Sequence, residues 1–237
     1  MTRLANRRWS FAALCLMLAA GFGWLGVWQV ERRAWKLDLI ARVEARVHAP
    51  PQGLPPRAAW PSVDERGYAY RRVTAHGVFL HDRETLVQAV TDLGAGWWVL
   101  TPLRTGGTVV LVNRGFVPPE RRDPASRRAG MPAAPVSVVG LLRMSEPGGA
   151  FLRANDPGAG RWYSRDVAAI ARARRLESVA PFFIDADATP NRGGYPVGGL
   201  TMIAFRNSHL VYALTWFTLA GIAVGGFVSI VRGRPAG

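Results

Sequence analysis

A chain of 237 residues is long enough for one large domain or two small ones. Its 30 Lys+Arg against 16 Asp+Glu give a net charge of +14, yet charged residues are only 19% and hydrophobic ones 49%, which excludes a disordered chain and a polybasic tail. The single cysteine, Cys15, excludes an intramolecular disulfide and any Cys-X-X-Cys metal site.

Two long uncharged segments divide the chain. After a tail over 1–8, residues 9–30 carry no charge; 22 residues at about 1.5 Å each give roughly 33 Å, enough to cross a hydrocarbon core. A cleaved signal peptide is the competing reading. The apolar run, however, continues past Ala19-Ala20 to Trp28 without a clear cleavage site, which favours an uncleaved anchor. The second segment, 207–231, is uncharged apart from the titratable His209 and leads into a tail over 232–237. Arg3, Arg7 and Arg8 before the first span and Arg232 and Arg234 after the second, with no acid in either tail, predict that both termini are cytoplasmic. Arg32, Arg33 and Lys36 oppose this, but a long loop translocates largely regardless of its charge. The first span begins within about ten residues of Met1, leaving no room for a transit peptide. The expectation is a bacterial inner membrane protein with residues 31–206 periplasmic.

The spans are expected to pack on each other. Gly221 with Gly225, and Ala19 with Gly23, offer small-xxx-small seams; the alternative is that glycine is simply frequent in membrane helices. Gly21-Phe22-Gly23-Trp24-Leu25-Gly26 matches a dinucleotide fingerprint, but it lies inside an apolar span with no strand before it, so the match is false.

Between the spans, 31–47 keeps a helical period and ends before Pro50-Pro51, and 48–62 is a Pro-rich loop or linker. Strands are predicted over 70–79, 85–90, 97–103, 108–112, 136–144, 182–185 and 200–205. Gly106-Gly107 suits a hairpin turn, and Ser164 caps a short helix to Ala171. The fold class expected is two transmembrane helices flanking an α+β, mainly antiparallel β, extramembrane domain that can close partly into a barrel.

No catalytic motif is present: no H-E-x-x-H, G-x-S-x-G or Walker sequence. His76, His81, Asp82 and Glu84 cluster in sequence, but solvated loop residues are favoured over a metal site. Asp185 and Asp187 read as turn residues before Pro190 in preference to paired acids, and Arg114 reads as a strand-end arginine, either a surface residue or a docking one. Gly115 is expected to need positive φ. A periplasmic domain would not meet nucleic acid, so the basic balance points to membrane lipid headgroups or an acidic partner. His209 is a candidate functional residue because an ionisable group in a span is costly. On a helix Tyr212, Ala213 and Trp216 share its face. The bland alternative makes His209 and Trp216 interfacial anchors.

Several segments together resemble the Surfeit-locus (Surf/Shy) family of cytochrome c oxidase assembly proteins. They are Gly26-Val27-Trp28-Gln29 with Arg32 and Trp35-Lys36, Thr101-Pro102-Leu103, Val112-Asn113-Arg114-Gly115-Phe116-Val117-Pro118, Trp162-Tyr163-Ser164-Arg165-Asp166, Phe183-Ile184-Asp185-Ala186, Pro196-Val197-Gly198-Gly199 and Arg206-Asn207-Ser208-His209 through Phe217. Ser208 departs from the pattern, in which Glu often precedes the histidine. The resemblance implies an integral membrane protein, not an enzyme, that helps build haem–copper oxidase by acting on its subunit I. It also implies a carrier that receives haem a from haem a synthase; the alternative is a cofactor-free scaffold that holds subunit I. On the carrier reading His209 is the axial ligand of the haem iron. Tyr212, Trp216 and Trp28 (or Trp24) would line the macrocycle, and Arg32 or Arg206 would meet the propionates.

Overall fold

The computed structural model describes residues 2–150, 152–201 and 207–233, which fall into two units: a helical one drawn from Met1–Arg42 and Ala204–Gly237, and a sheet one, Val43–Ile203. Arg206 and most of the strand expected over 200–205 lie outside the described residues.

Two helices dominate the first unit. Helix α1 covers Thr2–His48, with its last turns counted in the sheet unit, and α4 covers His209–Arg232. (Helices α2, Glu65–Tyr68, and α3, Val167–Ala173, belong to the sheet unit.) By length and composition both long helices suffice to cross a membrane. They lie antiparallel: Phe22 stacks on Trp216 with centroids 5.7 Å apart, and Cys15 Sγ stands 3.4 Å from where a Cβ on Gly226 would be. A Cβ on Gly26 would come 2.6 Å from the ring of Phe217, so this glycine lets the aromatic edge reach the α1 backbone. The seam on α4 thus runs through His209, Ala213, Trp216, Phe217 and Gly226. The small-residue pairs read from the sequence are elsewhere: Gly23, Gly221 and Gly225 have nothing within 4 Å of an added Cβ. Bulky side chains packed into isolated glycine notches, rather than two facing glycine stripes, make this contact.

The second unit is a barrel. Seven strands, β1 (Gln52–Gly53), β2 (Arg72–Phe79), β3 (Thr85–Thr91), β4 (Gly94–Thr105), β5 (Thr108–Val117), β6 (Val136–Met144) and β7 (Val179–Ala186), run in the order β1-β2-β6-β7-β5-β4-β3. A further pairing, Val78 with Arg104 and Phe79 with Leu103, joins β2 to β4 and closes the five strands β2-β6-β7-β5-β4. Most neighbours are antiparallel, but β5–β7 and β1–β2 are parallel. The parallel β5–β7 pair places Asn113 opposite Asp185, with consequences for the site below.

Alternation along β5 and β7 explains two cores. Val110, Val112, Phe182 and Ile184 point into the barrel, with Val73, Phe79, Leu103 and Leu142. Leu111 and Phe183 point outward, where Trp162 and the α3 residues Val167 and Ile170 cover them. With both faces covered, β5 is buried over nearly its whole length, Asn113 and Arg114 included, and the strand continues past Val112 to Val117. The α3 cap is Asp166, whose side chain accepts from Ala169 N at 3.0 Å; Ser164, expected there, instead donates to the Glu146 carbonyl at 2.7 Å.

The turns follow residue chemistry. Gly106 and Gly107 adopt φ of +50° and +83°, the hairpin conformation expected of them. The Pro-rich 48–62 segment is laid on the barrel rather than left as a spacer. Its β1 pairs with β2, and Trp60 packs edge-on against Phe182 at 6.4 Å while donating Nε1–H to the Pro55 carbonyl.

Candidate functional site

In the helical unit, His209 opens α4 and its Nδ1 lies 2.7 Å from Oε1 of Gln29 on α1. With the amide oxygen as acceptor, Nδ1 carries the proton and Nε2 presents its lone pair. Gln29 is buried, as is Ala213 one turn beyond His209. The amide of Gln29 therefore orients the imidazole, in the way second-layer groups orient ligating histidines. The other residues read from the sequence are not gathered around this ring. Trp216 is taken up by Phe22, whereas Trp28 and Tyr212, like Trp24, are exposed on the outside of the helix pair. Arg32 lies over Trp35, its guanidinium carbon 3.9 Å from the ring centroid, and Arg206 is outside the described residues. The role of Gln29 was not read from the sequence, where it appeared merely as part of a motif.

The sheet unit holds a second polar site. Asp185, 2% exposed, lies on β7 and is no turn residue. Its carboxylate accepts from Asn113 Nδ2 at 2.8 Å, Arg143 Nη1 at 2.8 Å and Arg165 Nη1 at 3.0 Å. Arg165 also holds Glu146 through Nε at 2.9 Å and Nη2 at 2.5 Å. Partial burial opposes ionisation of Glu146, but the bonds and charge of Arg165, aided by Arg143, hold its carboxyl below the usual range. Burial likewise works against the Arg165 charge, and Asp185 and Glu146 outweigh it, raising its pKa. Two cations and two anions so arranged neutralise each other and fasten β5, β6, β7 and the segment before α3 together. A hollow of about 340 Å³ opens beside them, lined also by Trp98 and Leu200. Each of Asn113, Arg165 and Asp185 stands in one of the motifs quoted above, the sequence signal that could have brought them together.

A third cluster corrects two sequence readings. Glu84 is buried rather than solvated and forms a two-pronged ion pair with Arg127. Arg114, 2% exposed, is an interior residue of β5 and no surface or docking group. Its guanidinium lies over Phe79, bonds to the Gly130 carbonyl and reaches Asn191 Oδ1 at 3.0 Å. Burial lowers its pKa to about 10. His81 accompanies it, its Nε2 3.1 Å from the Pro132 carbonyl, and burial lowers its pKa too. His76 is exposed on β2, and no cluster of metal-ligating side chains exists among the described residues.

The comparisons with known proteins follow the same segments. A model of the SURF1 family matches residues 16–221. Surfeit locus protein 1 of Mus musculus is 39% identical over 94% of this chain and 76% of its own length. The protein of that name from Homo sapiens is 37% identical over 94% and 78%, and a SURF1-like protein from Monosiga brevicollis 39% over 93% and 87%. The match spans both apolar helices and the barrel between them, and on that extent the chain belongs to the SURF1 family.

Proposed function

We propose that the protein is a membrane-bound, non-enzymatic assembly factor for cytochrome c oxidase that carries haem a to subunit I. Membership of the SURF1 family supports the oxidase. The observation that supports the haem is the histidine placed at the start of an apolar helix, held by one buried amide through Nδ1 with Nε2 left as an acceptor. In donor chemistry these residues fit haem, for which neutral imidazole is a usual axial ligand. The bound macrocycle would lie against the helix pair at His209, with haem a synthase as the source and subunit I as the destination.

The test is co-expression with haem a synthase, purification in detergent and an absorption spectrum. The wild type is expected to carry a bound-haem spectrum, and His209→Ala to lose it at unchanged protein level. A His209→Ala variant with wild-type haem content would remove this histidine from the function. It would leave the second reading, a cofactor-free scaffold for subunit I, which the exposed Trp24, Trp28, Val211 and Tyr212 support as a surface for partner helices.

The orientation that goes with this function puts residues 31–206 in the periplasm of a bacterial inner membrane and both termini in the cytoplasm, on the strength of the Arg-bearing, acid-free tails. Alkaline phosphatase fused at Pro55 is then active and fused after Gly237 inactive; the opposite pattern reverses the orientation.

A further inference from the structure

The hairpin that joins β3 to β4 ends in apolar side chains that nothing in the barrel covers. Along β3, Val87 and Ala89 are buried, Val87 in the core under Trp162 and α3, so alternation turns Gln88 and Val90 to the opposite, exposed face. Val90 is 85% exposed, and Leu93, in the two-residue turn between Thr91 and Gly94, is 54% exposed. A groove of about 510 Å³ runs beneath them, lined by Val90, Ala95, Trp97, Pro119 and Tyr163 and bordered by Ala150 and Arg153; the neighbouring Leu152 is 88% exposed. Arginines stand over both rings of the groove: Arg122 is 4.8 Å from the centroid of Trp97 and Arg153 5.5 Å from that of Tyr163. Neither has a carboxylate partner among the described residues: Arg153 Nη1 donates to Gln88 Oε1 at 3.4 Å, and Asp156 and Glu146 are taken by other arginines. Asp92 at the turn is the single acid between Thr85 and Thr105.

The opposite end of β4 has a different character. Twelve residues along the strand, roughly 40 Å at full extension, the Gly106-Gly107 turn borders a hollow lined by Arg83, Arg104, Arg175 and Glu177. Apolar tip, aromatic rings and two arginines without a carboxylate partner among the described residues are therefore gathered at one end of the barrel. Leu200 and Thr201, the last described residues of the sheet unit, line one hollow with Val90, Thr91 and Asp92 at this same end.

We propose that this tip docks on the bilayer. Val90, Leu93 and Leu152 enter the interfacial layer, and Arg122 and Arg153 pair with the phosphates of anionic lipid headgroups. Trp and Tyr rings with one apolar and one wet side suit that layer. An arginine stacked on such a ring has five in-plane N–H donors, of which the Gln88 amide takes one of those on Arg153, leaving others for phosphate. A protein partner would need a broader surface than one hairpin, one loop and their groove. The proposal rests on reading α1 and α4 as membrane spans, so its test must separate the two.

The test uses the full chain with Cys15→Ser, carrying one fluorophore on Leu93→Cys, Glu177→Cys or Val224→Cys. Each labelled protein is reconstituted into phosphatidylcholine–phosphatidylglycerol vesicles with brominated acyl chains, which quench only buried labels. The Val224 label reports the span, and the Glu177 label reports the polar end of the barrel. Expected are quenching at Val224 and Leu93 and none at Glu177. Combining Arg122→Gln with Arg153→Gln, or leaving out phosphatidylglycerol, should reduce quenching at Leu93 alone. A Leu93 label that stays bright while Val224 is quenched overturns the proposal and assigns the tip to water or to a protein. An unquenched Val224 label removes the membrane reading, and the proposal with it. Leu93 quenching that survives the double arginine substitution overturns the headgroup pairing.

Discussion

The helix pair and the barrel keep polar side chains out of water in contrasting ways. Across the helix seam the described contacts include one side-chain hydrogen bond, from His209 to Gln29, set among aromatic rings and small residues. The barrel buries whole charges in two clusters, Asp185 with Arg143 and Arg165, and Glu84 with Arg127 beside Arg114. In a helix every interior backbone group is satisfied locally, so the pair needs only shape and an occasional polar contact. A closed barrel must fix strand register across distant segments, and buried, directional ion pairs penalise every register that leaves a charge unpaired. The difference predicts where each region is fragile.

The sharpest contrast lies in the glycines. Gly115 has φ of +126°, and a Cβ there would collide with the Val197 carbonyl, a backbone atom held by the Phe116–Val197 bridge. Gly115→Glu should cost more than about 4 kcal/mol and leave almost no folded protein in a detergent-soluble yield assay. Gly26→Ala meets only the ring of Phe217, which can turn, so the expected cost is about 1–3 kcal/mol. Equal yields for the two variants would erase the distinction.

Next in size is the Asp185 network. Asp185→Ala leaves Arg143 and Arg165 half-paired and largely buried, and should lower stability in a denaturant titration by about 3–5 kcal/mol. A loss below 1 kcal/mol, of the order expected for an exposed pair, would mean that water reaches these arginines and the network is not structural.

Acid sensitivity belongs to the barrel and comes in two steps. Burial lowers the pKa of His81 from its ordinary value of 6.5, so as pH falls the unfolded chain takes up the proton first. Its contribution is present in full above about 6.5 and is lost below it, until His81 protonates in the folded state as well. Glu146, held below the usual carboxylate range, adds stability above its unfolded value that disappears at lower pH, through its depressed folded value. A melting-temperature profile should show both steps, and His81→Gln should remove the upper one. A profile flat between pH 7 and 5 would show His81 to be solvated.

The smallest effect is expected at the helix seam. Gln29→Leu removes one interhelical hydrogen bond and should weaken helix association by about 0.6–2 kcal/mol, read as a shift in the midpoint of unfolding in sodium dodecyl sulfate. A shift as large as that of Asp185→Ala would place the helix pair in the same class as the barrel.

Much of this was legible in the sequence, for identifiable reasons. The apolar helices follow from uninterrupted stretches of uncharged residues, the Gly106-Gly107 hairpin from a residue pair that alone tolerates its φ angles, and β6 from a run of β-branched and apolar residues over 136–144. These are local properties, decided within a few residues. Gly115 was also anticipated, because a glycine following a strand-like run has few other uses.

What chain-local reasoning could not reach is pairing between distant residues. Asp185 looked like a turn residue because Asp187, Thr189 and Pro190 follow it; its partners Asn113, Arg143 and Arg165 are 72, 42 and 20 residues away. The first two are brought to it by the β5–β7 and β6–β7 pairings and the third by the segment before α3, whose Arg165 carbonyl accepts from Glu146 N. Arg114 and Glu84 are charged side chains, which composition assigns to the surface, yet the fold buries Arg114 on β5 against Phe79 and Glu84 against Arg127. The seam between the helices was misplaced for the same reason, since glycine spacing says which faces can approach and only the packed pair decides which face does. Sequence determined the elements, because propensity and hydrophobic period act over one or two turns. Tertiary structure decided which polar groups meet, because a buried charge persists only where the fold delivers its partner.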